Sequence, residues 1–210
     1  MWLKSLSVGV LAALIAIPAF AQAPEGTLVR IRGKVEKLDG STLTVKGREG
    51  KNPASDVSVM LAPDVVILAV KKIQLSDIKQ GDFIGSAAVP GKDGKLKAEE
   101  VLVFPEMARG TGEGHYPWDR DLKSSDETMT NATVSGVASA AKGEVLMVQY
   151  KGGEAELVVG PKVPVVTFAP DDKALLKSGA TVFIPALKKP DGTIVANRVI
   201  AEKDHVKPPM

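Results

Sequence analysis

The chain has 210 residues, a formal net charge of +2, 44% hydrophobic residues and no cysteine. A charge this near neutral excludes the basic surface that nucleic-acid binding needs, and without cysteine there is neither a disulfide framework nor a thiolate metal site. Aromatic residues are 4% of the chain, too few for the girdles of an outer-membrane barrel.

Residues 1–21 read as a secretory signal peptide. Lys4 makes a short positive start, residues 6–17 are apolar except for Ser7, Pro18 breaks the run, and Ala19-Phe20-Ala21 is a small-residue cleavage site. The run is shorter than the ~20 residues a membrane-spanning helix needs. Cleavage would leave a soluble chain starting at Gln22, with no transmembrane segment and no cysteine to carry a lipid. The periplasm or the medium is the expected address.

The rest of the chain contains an internal repeat. Arg32-Gly33-Lys34-Val35 aligns with Ser135-Gly136-Val137-Ala138, and Leu43-Thr44-Val45 with Leu146-Met147-Val148, at one constant spacing. Gly81 aligns with Gly179, Asp93-Gly94 with Asp191-Gly192, and Val101 with Val199, at a second. The slip between the two spacings places a few extra residues of the first copy near Gly50 and Asn52.

Each copy predicts short strands in the same order. Val29, Ile31, Gly33 and Val35 alternate with Arg30, Arg32 and Lys34, the period of a half-buried strand. Asp39-Gly40 is a hairpin signal, Leu43 and Val45 carry a second strand, and Val57, Val59 and Leu61 a third. Pro63-Asp64 predicts a turn before an apolar fourth strand over residues 65–70. Leu75 and Ile78 predict a short helical turn stopped by Gly81, followed by two closing strands joined at Asp93-Gly94. Short strands with one helical turn predict an all-β chain of two tandem small antiparallel β-barrels, at residues 27–105 and 131–205, joined by a linker at 106–130. Each barrel is OB-like but for a sixth strand. Units this small bury marginal cores, so the barrels are expected to pack on each other or on the linker.

The pattern Gly-x-Val, then Leu-Thr-Val, then Leu-x-Asp-Ile-Lys-x-Gly-Asp, then Asp-Gly-x-x-x-Ala-x-x-Val resembles a domain of unknown function found in bacterial exported proteins. With Arg109-Gly110-Thr111-Gly112-Glu113-Gly114-His115 and Pro117-Trp118-Asp119, the layout is similar to a proteobacterial group of tandem-domain exported proteins, often labelled "metal ABC transporter permease". The likeness covers most of residues 27–205. A permease would need several apolar spans that this chain lacks. The second copy also departs from the pattern, with Lys177-Ser178-Gly179-Ala180 in place of Lys-x-Gly-Asp. The resemblance implies a fold and an export address but no activity.

The linker concentrates the chemistry. Gly110, Gly112 and Gly114 alternate, but Pro117 interrupts any helix after them, so the spacing predicts a turn with positive φ rather than a phosphate cradle. Glu113, His115, Asp119 and Asp121 form the candidate metal set, since imidazole with carboxylates suits a divalent ion such as Zn²⁺. Arg109, Tyr116 and Trp118 are the candidate ligand or partner contacts, with Tyr116-Pro117-Trp118 serving either as an aromatic platform or as a plug between the barrels. No nucleophile elbow or paired-carboxylate site is present. A non-enzymatic binding or scaffold role is therefore expected, with a protein or envelope component as partner, no resident cofactor, and a metal site around His115 as the alternative.

Overall fold

The computed structural model describes residues 26–119, 126–140 and 143–208. The leader and Asp121 lie outside them. The described chain is all-β. In order it forms β1 (Thr27–Asp39), β2 (Thr42–Glu49), β3 (Ser55–Lys72), β4 (Phe83–Pro90), β5 (Leu96–Ala98), β6 (Val101–Val103), β7 (Gly114–Pro117), β8 (Thr128–Ala140), β9 (Gly143–Tyr150), β10 (Gly153–Val159), β11 (Val165–Asp171), β12 (Thr181–Lys188) and β13 (Ile194–Ala201). The predicted helical turns are 3-10 turns at Leu75–Asp77 and Lys173–Leu175. Among the described residues no helix is long and apolar enough to cross a membrane.

The strand pairings form two closed circuits. In the first, β1 pairs with β2, β2 with β3, β3 in parallel with β13, β13 with β12, and β12 with β1. The second repeats this order with β8, β9, β10, β5 and β4, again with one parallel pair, β10–β5. Each circuit encloses its own apolar core. Ile31, Leu43, Val59 and Ile184 fill the first, and Ile84, Leu146, Leu157 and Val101 the second.

The circuits do not follow the sequence copies, and this corrects the expected boundaries. The first circuit takes β1–β3 from the first copy but β12 and β13 from the second. The second takes β8–β10 from the second copy but β4 and β5 from the first. The 3-10 turns cross over as well. Leu176, beside the second copy's turn, packs in the first core, and Ile78, beside the first copy's turn, packs in the second. Matching backbone bonds seal both exchanges: Gly179 N donates to Val35 O, and Gly81 N donates to Val134 O. Residues 27–105 and 131–205 are therefore not separately closed units. The stretch at 106–130 is also more than a linker, since it holds a 3-10 turn at Glu106–Ala108, strand β7 and the start of β8.

The physical cause lies in β3. It runs for 18 residues straight through Pro63 and Asp64, where the sequence predicts a turn between two strands. At about 3.3 Å per residue it reaches about 60 Å, further than one small barrel can use. Its far end carries the chain onto the other circuit. Pro63 is tolerated because the β3–β13 ladder is irregular there, jumping from Leu61–Ala196 to Val66–Arg198. In the second copy the same path is interrupted between β10 and β11.

A local two-fold axis relates the halves. β11 pairs antiparallel with the far half of β3, and Val70 faces Phe168, its own equivalent in the other copy. Ile67 pairs with Val199 on one side and Val165 with Val101 on the other. The bulges give the register of the first strands. The β1–β2 ladder shifts after Val35 and the β8–β9 ladder after Val134. Val35 thus corresponds to Val134, four residues from the alignment read in sequence, because the β8–β9 hairpin is the longer of the two.

Candidate functional site: a cavity between the circuits

Alternate residues of the central strands serve different cores. Val101 and Val103 pack in the second circuit while Leu102 and Phe104 point the other way, and Val199 packs in the first circuit while Ile200 points away from it. The outward set, with Val70, Val166, Phe168, Phe183 and Met129, forms a third apolar cluster between the circuits. β7 joins this cluster by pairing with β8 from Gly114 to Pro117, and Trp118 N extends the ladder by donating to Glu127 O at 2.8 Å. Trp118 is 7% exposed and Tyr116 packs beside it.

The cluster is incompletely filled. It surrounds a cavity of about 320 Å³ lined by Leu102, Phe104, Tyr116, Trp118, Met129, Asn131, Phe168, Phe183 and Ile200, with Arg30, Arg198 and Glu100 also in the wall. Five of the chain's nine Phe, Tyr and Trp residues stand around this one space. A larger and more open groove of about 810 Å³ runs past Lys72, Lys162, His205 and Lys207. It includes none of the residues singled out in sequence as candidates.

An ionic network fixes one wall of the cavity. Arg32, 9% exposed, donates from Nη2 to Asp119 Oδ1 at 2.8 Å. Arg30 Nη1 stands 3.6 Å from Asp119 Oδ2, and its guanidinium lies 4.2 Å from the centre of the Trp118 ring. The Arg32 guanidinium lies over Trp118 at 5.4 Å and over Phe183 at 5.1 Å. Arg48 holds the segment from outside by donating to the carbonyls of Gly50 and, at 3.0 Å, Asp119. Burial lowers the Arg32 guanidinium below its usual range, with Asp119 opposing that shift. Burial also pushes the Tyr116 phenol up.

Asn131 fixes the opposite wall. Its Nδ2 donates to the carbonyls of Thr111 and Gly112, both at 3.1 Å, and to the Tyr116 hydroxyl at 3.2 Å. This ties down the glycine turn, where Gly110, Gly112 and Gly114 take φ of 80°, 59° and 141°. Among the described residues, the buried Asn131 Oδ1 and Trp118 Nε1 meet no hydrogen-bond partner.

The predicted site residues separate on this geometry. Tyr116 and Trp118 line the cavity. Arg109 does not, because it turns back to Glu106 in a two-pronged pair at 2.7 Å on the surface. The metal set is not assembled. Glu113 Oε1 accepts from Lys151 N at 3.0 Å, His115 Nδ1 meets Thr130 Oγ1 at 2.9 Å with its ring stacked on Tyr150, and Asp119 is held by arginines. Among the described residues no three His, Cys, Asp or Glu side chains stand close enough to share an ion, and Asp121 lies outside them. The His115–Thr130 contact is not a catalytic pair either, because Thr130 is completely buried and its hydroxyl cannot meet a substrate.

Arg30, Arg32, Asn131, Phe168, Phe183 and Arg198 escaped the sequence reading. Arg30 and Arg32 alternate with core residues along β1, Arg198 sits beside core residues on β13, and all three read as solvated. A signal was present in the unbroken apolar runs 65–70 and 101–104, since a strand apolar on both faces is buried on both. No protein-family model, no curated protein and no solved structure matches the chain.

Proposed function

We propose that this is an exported, non-enzymatic binding protein of the bacterial cell envelope, and that the cavity between its circuits holds an apolar-bodied envelope component. The signal-peptide pattern of residues 1–21 supports the address, periplasmic or secreted, and the resemblance to tandem-domain exported proteins agrees with it. We read each circuit as an OB-like barrel. The order β1-β2-β3-β13-β12, closing on β1 with one parallel pair, fits a five-stranded Greek-key barrel. Such a fold hosts many functions, so the argument rests on the cavity.

The observation that carries the reading is the concentration of aromatics around unfilled space. In a chain with few aromatic residues, a purely structural contact would be expected to close up to interior density. An apolar cavity with a few placed polar groups is the usual form of a small-molecule site. The test is a titration of the full chain with phenylbutanol in a Trp2→Phe background, which leaves Trp118 as the only tryptophan. A saturable, one-to-one change in Trp118 emission is expected, lost when Leu102→Phe narrows the space. A flat titration would count against the binding role.

A further inference from the structure

The two halves of the cavity have diverged in one direction. The shared position of the bulges after Val35 and Val134 makes Arg30 the equivalent of Met129, and Arg32 the equivalent of Asn131. The matching pairs Val199–Ile67 and Val101–Val165 make Arg198 the equivalent of Glu100. Every one of these replacements puts a guanidinium on the first circuit. The facing half carries a thioether, an amide and a carboxylate. A duplicated contact that only glued two barrels together would have no need of such polarity.

The guanidiniums differ in how far they are satisfied. Arg32 is committed to Asp119. Arg30 lies on the Trp118 face and reaches Asp119 only at 3.6 Å. Arg198 is half-buried in the wall, and among the described residues it has no ion pair, side-chain hydrogen bond or ring contact. Glu100, the one carboxylate of the lining, is 4% exposed and is not without a partner. A guanidinium beside an apolar cavity gains most from a carboxylate, whose two oxygens match its planar fork and are held more strongly where water is scarce.

We infer that the cavity is a site for small amphipathic carboxylates, with Arg198 as head-group contact, the stacked Arg30 as a second cation, and Phe168, Phe183, Trp118 and Leu102 around the apolar body. This rests on the binding role proposed above. It adds the sign of the ligand's charge and the end of the cavity that reads it.

Calorimetric titration of the full chain at low salt with phenylbutyrate, phenylbutanol and phenylbutylamine tests it. These probes share one apolar body and differ in head-group charge. The acid is expected to bind about tenfold more tightly than the alcohol, the scale of one hydrogen bond to a charged group, and the amine weakest. Added salt should shrink the acid's advantage while leaving the alcohol unchanged. Arg198→Gln should cut the acid's advantage over the alcohol several-fold, leaving only what Arg30 contributes. If wild-type protein binds alcohol as tightly as acid, the carboxylate inference falls and the binding role stands. If none of the three binds, the binding role falls and the inference with it. A preference for acid undiminished in folded Arg198→Gln removes Arg198 as the contact. Should that variant fail to fold, the wild-type order and its salt dependence still decide the carboxylate question.

Discussion

Trp118 is where the cavity wall and the fold's stability meet. Its ring is covered by Arg30 and Arg32 on one side and belongs to the third cluster on the other. In the Trp2→Phe background its emission should be blue-shifted and indifferent to Zn²⁺. Red-shifted emission with a saturable Zn²⁺ response, lost in His115→Ala, would restore the metal reading. Trp118→Ala should lower unfolding free energy by about 3–5 kcal/mol, the range for emptying a large buried aromatic. Asp119→Asn acts through charge rather than volume. It removes the carboxylate that the buried Arg32 meets at 2.8 Å, with Arg30 and Arg48 nearby, and should cost about 2 kcal/mol. Urea midpoints at constant slope measure both, and an Asp119→Asn variant as stable as wild type would show the pair to be incidental.

At the level of elements, β1 and β2 approach each other unusually closely. Gly33 faces Gly47 across the ladder, and a Cβ built on Gly47 would stand 2.6 Å from Gly33 Cα. Gly47→Ala should therefore destabilise by about 1–3 kcal/mol through overpacking, although the substitution is conservative and local. The corresponding pair on β8 and β9 is Ala132 and Tyr150, so the two hairpins are not interchangeable in detail. The C-terminal end is tied differently, by Lys203 Nζ to Asp171 Oδ2 at 2.6 Å and by Thr181 N donating to Glu202 Oε2 at 3.1 Å. The hydrogen bond from Lys203 holds Asp171 below its usual range, and that from Thr181 does the same for Glu202. The same Asp171 contact raises Lys203. A depressed carboxylate adds stability above its unfolded value, lost as pH falls through its folded value. A raised lysine adds stability below its unfolded value, lost as pH rises through its folded one. The tie should hold between about pH 4 and pH 10 and loosen on both sides. Amide exchange of β12 and β13 against pH reads this, and exchange protection that is flat on acidification below pH 4 would discount the two carboxylates.

For the molecule as a whole, the exchange of strands makes each circuit depend on both copies. Thermal unfolding should be one cooperative transition, because neither core can lose a half without opening the other. Residues 26–105 expressed alone should not form a folded monomer, since β4–β6 have no β8–β10 to close on. Size-exclusion chromatography with circular dichroism would show an unfolded chain or a swapped dimer. A folded monomer would mean that a copy can close on itself, against the pairing seen in the full chain. The cavity inherits this dependence. Arg30 and Arg198 stand on the same circuit although one comes from each end of the sequence, and the aromatics opposite them are as widely scattered.

Much of this was legible in the residues. The all-β class, most of the strands and the 3-10 turns near Leu75 and Lys173 follow from period-two alternation and from Asp-Gly and Gly signals. Tyr116 and Trp118 could be picked out because two large aromatics in a glycine-rich stretch must be buried or bound. Arg30 and Arg198 could not, because an arginine beside core residues on a strand looks the same whether its face meets water or a second circuit. Among the described residues the metal set is drawn apart for a related reason. Proximity in sequence put Glu113, His115 and Asp119 together, but in the fold each is engaged by a distant partner of its own, Lys151 N, Thr130 Oγ1 and Arg32 in turn.

By itself, then, the sequence determined the all-β class, most of the strands, and the apolar side of those that alternate. All of these are properties of one strand and its neighbours along the chain. Only the tertiary structure decided which strands close together. Two copies with the same pattern offer every closing hairpin two nearly equivalent places to dock, and a periodic signal cannot choose between them. An 18-residue strand that outruns its own circuit makes that choice, and with it decides which arginines and aromatics share a cavity.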